Sequence, residues 1–91
     1  MHIDVDSVIT LDNNLNYLIL DKVNHNDNDY YLAVEVDAND EPLEKNVILK
    51  EVNENGDKFV IEETDENVIK DLIVLFTKSF NRSVVNLEEI N

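Results

Sequence analysis

The side chains in this sequence that could do chemistry are mostly carboxylates, and two polar segments, residues 24–29 and 37–45, hold six of the 21 acidic residues. Alternating oxygen ligands can chelate calcium, but neither segment has the glycine and the bidentate glutamate that an EF-hand loop carries at its sixth and twelfth positions. We therefore expect no metal site, and interpret the acids as candidate contacts for a basic partner. These candidate contacts are Asp27, Asp29, Asp37, Asp40, Glu41 and Glu44.

Other catalytic side chains are scarce. His2 and His25 are the only imidazoles, and one lies at a terminus and the other in a polar turn. The chain has no cysteine, and a single glycine cannot form a phosphate-binding loop. No carboxylate pair lies in an apolar segment, where burial could raise its pKa for acid–base work. We expect a protein without catalytic residues or cofactors, hence not an enzyme.

The charge balance excludes several classes of partner. The 91 residues include 21 acidic and 7 basic side chains, for a net charge of −14. Such a chain is a poor candidate for binding nucleic acid directly through its phosphates, which needs a cationic face, and anionic membranes should repel it. The sequence shows no signal peptide and no apolar run long enough to span a bilayer, so we expect a cytoplasmic location. With 43% hydrophobic residues, the chain is expected to fold despite its charge.

Five short segments with β-branched or alternating apolar residues predict the strands that hold the acidic segments. The predicted strands cover residues 7–11, 15–23, 30–36, 46–52 and 58–62. The pair Asn55-Gly56 predicts a tight hairpin between the last two strands. Residues 37–45 include the only proline, Pro42, and are predicted to form a loop.

One helix is predicted after the strands, with Thr64 or Asp65 as its N-cap. Apolar residues from Val68 to Phe80 recur at helical spacing, so the helix should end near Phe80, where Lys78 and Arg82 suit its dipole. Residues 1–80 would then form a single α+β domain, and residues 81–91 a C-terminal tail or a short extra strand. The expected fold is an antiparallel meander sheet of four to five strands with one C-terminal helix packed on one face.

The adjacent tyrosines Tyr30 and Tyr31 must face opposite sides of their strand. One of them should be core. The other could pack across strands in the same way, or could be an exposed anchor for a partner.

Six segments in a fixed order span about residues 8–80: Ile9-Thr10-Leu11-Asp12, Tyr17-Leu18-Ile19-Leu20-Asp21, Asp29-Tyr30-Tyr31-Leu32-Ala33, Asn46-Val47-Ile48-Leu49-Lys50, Phe59-Val60-Ile61-Glu62 and Leu75-Phe76-Thr77-Lys78-Ser79-Phe80. In these segments and their order the chain resembles the YrzB-like family, short acidic bacterial proteins of unknown function. This chain has Asn13-Asn14 where the family often has an acidic-glycine turn. The resemblance implies a cytoplasmic, non-enzymatic protein and provides no functional residues to carry over.

Two functions remain open from the sequence. The first is a non-enzymatic acidic interaction module, a monomer or weak dimer that regulates a protein partner by binding its basic surface. The alternative is a nucleic-acid-mimicking inhibitor of the phage or mobile-element type, such as an anti-CRISPR protein, that blocks a DNA-binding protein. Competition with DNA would distinguish the two, and the charge could also serve solubility alone.

Overall fold

A computed structural model describes residues 3–90 of the chain, and the side chains of residues 3–79. The elements are β1 (Val8–Thr10), β2 (Asn16–His25), β3 (Asn28–Val36), β4 (Pro42–Glu54), β5 (Asp57–Glu62) and α1 (Glu66–Ile90). Each strand pairs antiparallel with its neighbours along the chain, in the order β1-β2-β3-β4-β5. The predicted α+β class and the antiparallel meander are confirmed.

Two hairpins are closed by two-residue turns in which both residues have positive φ. Asn26 and Asp27 have φ of 51° and 65°, and Asn55 and Gly56 have φ of 54° and 86°. Positive φ at both positions is the type I′ geometry that matches the twist of the flanking strands, and Asn and Asp tolerate it better than other non-glycine residues. The predicted Asn55-Gly56 hairpin is confirmed, and β2 and β3 extend closer to their turn than the sequence predicted.

The connection between β3 and β4 is shorter than predicted. The backbone N–H of Asp37 donates to the carbonyl of Glu41 at 2.9 Å, and the Asp37 carboxylate accepts from the N–H groups of Asn39 and Glu41 at 2.8 and 3.0 Å. Strand β4 begins at Pro42, a position where a strand tolerates the missing N–H. The predicted loop over residues 37–45 is therefore wrong in its second half, and Glu44 lies within β4.

Helix α1 begins as predicted but ends later. The Asp65 carboxylate accepts from the N–H groups of Asn67 and Val68 at 2.9 and 3.4 Å, so Asp65 is the N-cap. The helix continues to Ile90, because no glycine or proline follows Phe80, and residues 81–90 are helical instead of a tail or an extra strand. Asn91 lies outside the described residues. Lys78 and Arg82 lie inside the helix and not near its C-terminal end.

The buried side chains form two clusters, which follow the alternation of the strands. The first cluster contains Ile3, Tyr17, Ile19, Tyr31, Ala33, Val47 and Leu49, and the second contains Tyr30, Ile48, Leu72 and Phe76. Tyr30 and Tyr31 belong to different clusters and are only 3% and 1% exposed. Both tyrosines are therefore core residues, and the exposed anchor that the sequence left open is wrong. The N-terminal Ile3 contributes to one cluster, and two α1 residues contribute to the other.

Candidate functional site

The six predicted contact residues do not form one site. Asp27 lies in the β2–β3 turn and Asp29 two residues after it, whereas the other four follow β3 at its opposite end. Residues 30–36 of β3 separate Asp29 from Asp37, a distance of about 26 Å for an extended strand. A small partner surface could contact one group or the other, so each has to be judged separately.

The group after β3 lines neither the cleft nor the groove described below. The Asp37 carboxylate is already bonded to the backbone of its own loop, as described above. Asp40, Glu41 and Glu44 are exposed. Nearby, Lys45 Nζ lies 3.9 Å from Glu35 Oε1. These residues contribute negative charge to this end of the sheet.

The group at the β2–β3 turn lines a polar cleft of about 280 Å³. The acidic cleft, as we call it, is lined by Asp27, Asn28, Asp29, Lys50, Glu51, Val52 and Asn53. Its origin is in the strand pairing. The β3–β4 register ends at the Tyr30–Lys50 pair; beyond it, Asn28 and Asp29 pair with β2, and residues 51–53 pair with β5. The two hairpins therefore separate here, and the acidic cleft is the gap between them.

The acidic cleft holds three carboxylates, those of Asp27, Asp29 and Glu51, against the single ammonium of Lys50. Asp29 is held in place from β2, where Asn24 Nδ2 donates to its carboxylate at 3.1 Å and Lys22 Nζ lies at 3.8 Å. The Asp29 carboxylate is therefore held in position by two residues of β2. The cleft retains net negative charge and several oxygen acceptors.

Glu51 is tied to the core beneath the cleft by Tyr31, whose hydroxyl donates to Glu51 Oε1 at 3.2 Å. Lys22 Nζ lies 5.6 Å from the centre of the Tyr31 ring, within range of a cation–π contact. The pKa of Tyr31 is raised to about 12. Burial is the largest cause, and the charge of Glu51, the hydrogen bond to Glu51 and the charge of Asp29 also raise it. Each cause favours the neutral phenol, so Tyr31 remains a proton donor to Glu51 at physiological pH.

This raised pKa predicts a loss of stability at alkaline pH. Because the folded state binds the Tyr31 proton more tightly than the unfolded state, the stabilisation is complete below pH 10 and is lost as pH rises from about 10 to about 12. The difference in tyrosinate absorbance at about 295 nm between the wild type and Tyr31→Phe should show a midpoint near pH 12. A midpoint near 10 would contradict a buried Tyr31 bonded to Glu51.

The sequence analysis did not identify Glu51, the cleft carboxylate that accepts a hydrogen bond from the buried Tyr31. Periodicity places Glu51 two residues after the buried Leu49, on the same side of β4. The alternation shows on which side of β4 Glu51 lies. It does not show where β3 and β4 stop pairing, and the position of the cleft depends on where that pairing ends.

No group of three or more His, Asp or Glu residues within residues 3–79 could hold a metal ion. His25 Nε2 lies 3.8 Å from the Asp71 carboxylate and 3.3 Å from Asn26 Nδ2, outside the cleft lining. His2 lies outside the described residues.

In chemical terms the acidic cleft can accept hydrogen bonds from a cation.

Comparison of the chain with family models, with curated proteins and with solved structures found no match. No helix in the described part of the chain is long and apolar enough to cross a membrane.

Proposed function

We propose that this protein is a non-enzymatic acidic interaction module that binds the basic surface of a protein partner. The observation that carries the proposal is the acidic cleft, which sets Asp27, Asp29 and Glu51 around a gap between two hairpins. An arginine guanidinium presents five N–H donors in a planar fork and pairs with carboxylates in two-point contacts. We propose that the cleft receives an arginine or lysine side chain of the partner.

The charge of the whole chain supports the same partner. A net charge of −14 accelerates encounter with a basic surface and disfavours acidic competitors. Asp40, Glu41 and Glu44, at the far end of β3, would contribute to this attraction without contacting the bound side chain. We further propose that α1 lies on the Tyr30 face of the sheet, which leaves the cleft open. The absence of catalysis in this proposal is also what the YrzB-like resemblance implies.

The test compares two substitutions that remove the same charge. Glu51→Gln preserves side-chain shape in the cleft, whereas Glu54→Gln changes an exposed residue of β4 that does not line it. The probe is a short arginine-containing peptide, titrated into the isotopically labelled protein and followed by NMR. Glu51→Gln should weaken binding about tenfold, since a charged hydrogen bond contributes about 1.5 kcal/mol, and Glu54→Gln should weaken it less than about twofold. The wild-type shifts should concentrate at Asn28 and at residues 51–53.

Equal weakening by both substitutions would contradict the cleft as the binding site and would mean that the peptide is attracted only by the overall charge of the protein.

A second experiment addresses the partner, by capture on the immobilised wild-type protein with a salt gradient. A captured partner that duplex DNA does not displace supports the interaction module. A DNA-binding protein that duplex DNA displaces would instead favour the nucleic-acid-mimicking inhibitor.

A further inference from the structure

An apolar groove runs beside α1 and shares no lining residue with the acidic cleft. Its floor and wall, here called the α1 groove, are formed by Leu32, Ile48, Ile69, Ile73 and Phe76. The wider part has a volume of about 480 Å³ and also touches Glu62 and Glu63, and the narrower part has a volume of about 290 Å³ and ends at Thr77. The two parts share Leu32, Ile48 and Ile73, so they form one continuous surface.

Ile73 marks this surface as incompletely covered. Its side chain is 54% exposed, the largest exposure of any large apolar residue in the described part of the chain. Leu72, the preceding residue, is fully buried, so Ile73 is exposed while its helix is firmly packed. We propose that the α1 groove binds an amphipathic helix of a basic protein, with its apolar residues in the groove and its arginines or lysines beside Glu62 and Glu63.

The length of the groove fits a helix. Along α1 the lining extends from Ile69 to Thr77, about 12 Å at the helical rise of 1.5 Å per residue. A partner helix covers that distance with apolar side chains at positions i, i+4 and i+7, as in other complexes in which a helix lies in a groove. The lining supplies apolar contacts for about three such residues.

The charges around the groove favour a basic helix over a second copy of this chain. Glu62 and Glu63 line the wide part of the groove. Lys45 is the only cation of that lining, and its Nζ lies 3.9 Å from Glu35 Oε1, whose negative charge offsets the charge of Lys45. Each copy also carries a net charge of −14, so a dimer through this face meets strong repulsion. The inference shares with the proposed function the assumption of a cationic partner, but it concerns a separate surface.

The test uses a designed helical peptide of about 18 residues as the probe, with leucines on one face and arginines on the other. A scrambled peptide of the same composition, in which the leucines share no face, measures attraction by charge alone. Ile73→Ser removes the exposed apolar side chain of the groove. Val74→Ser is the matched control, since Val74 is 52% exposed and does not line the groove.

We expect the amphipathic peptide to bind the wild type at least about tenfold more tightly than the scrambled peptide. Ile73→Ser should weaken that binding about tenfold, Val74→Ser less than about twofold, and Glu51→Gln in the acidic cleft less than about threefold. Retention by Glu51→Gln separates this site from the cleft. Equal binding of the two peptides, absence of binding, or equal effects at positions 73 and 74 would overturn the proposal. A concentration-dependent dimer that Ile73→Ser abolishes would also overturn it, in favour of a second copy.

Discussion

Replacing Leu72 by alanine is expected to lower the free energy of unfolding by about 3 kcal/mol. Leu72 is fully buried and belongs to the cluster that joins α1 to Tyr30 and Ile48 of the sheet. Alanine leaves a cavity that the surrounding strands cannot fill by relaxation, so the loss exceeds the transfer energy of the deleted atoms. Urea denaturation followed by circular dichroism measures the difference, provided that the slope with denaturant stays constant.

The matched control for Leu72 is its neighbour in the sequence. Ile73→Ala removes a similar aliphatic group from a residue that is 54% exposed, and should cost less than about 1 kcal/mol. Equal losses at the two positions would mean that intrinsic helix propensity, and not burial of Leu72 in the shared cluster, determines the cost of each substitution. That result would also remove the firm helix on which the α1 groove depends.

The architecture followed from local signals in the sequence. Alternation such as Tyr30, Leu32 and Val34 against Tyr31 and Ala33 predicts strands, and the short connections between strands leave few alternatives to an antiparallel meander. Asn55-Gly56 has one strongly preferred turn, and the structure has it. The Asp65 cap and the apolar spacing after it likewise predict the start of α1. These features depend on a few neighbouring residues, and for that reason they could be predicted.

The candidate site depends on relations that local patterns do not contain. The acidic cleft exists because the β3–β4 register ends at Tyr30 and Lys50, and where a ladder ends depends on how both strands pack. Whether Tyr30 and Tyr31 are both buried depends on whether both faces of the sheet are covered. The end of α1 was misjudged because charges near Phe80 resembled a helix terminus, while the sequence after it has no residue that breaks a helix.

Tyr31 links the core to the cleft and makes the two dependent on each other. Its ring is buried in the first cluster, and its hydroxyl donates to Glu51 in the cleft lining. Packing of the core therefore sets where the Glu51 carboxylate lies. A site positioned in this way loses little conformational entropy when a basic side chain binds, because the acceptor is already held.

Ile3 closes the first cluster, and its replacement by alanine should cost about 2 kcal/mol of unfolding free energy. No local pattern indicates this role, because Ile3 lies outside every predicted element. In the structure its side chain is only 4% exposed and packs in the cluster that contains Tyr17, Ile19 and Tyr31. The segment that carries it is anchored to β2, since the Asp6 N–H donates to the Ile19 carbonyl at 2.7 Å.

Val5→Ala is the control for Ile3→Ala, because Val5 belongs to the same segment and is 44% exposed. It should change the unfolding free energy by less than about 0.5 kcal/mol. Since Tyr31 shares the cluster with Ile3, the Ile3→Ala protein should also bind the arginine-containing peptide more weakly than the Val5→Ala protein. A loss of stability with unchanged peptide binding would show that the cleft is positioned independently of the core, and that Tyr31 does not connect them.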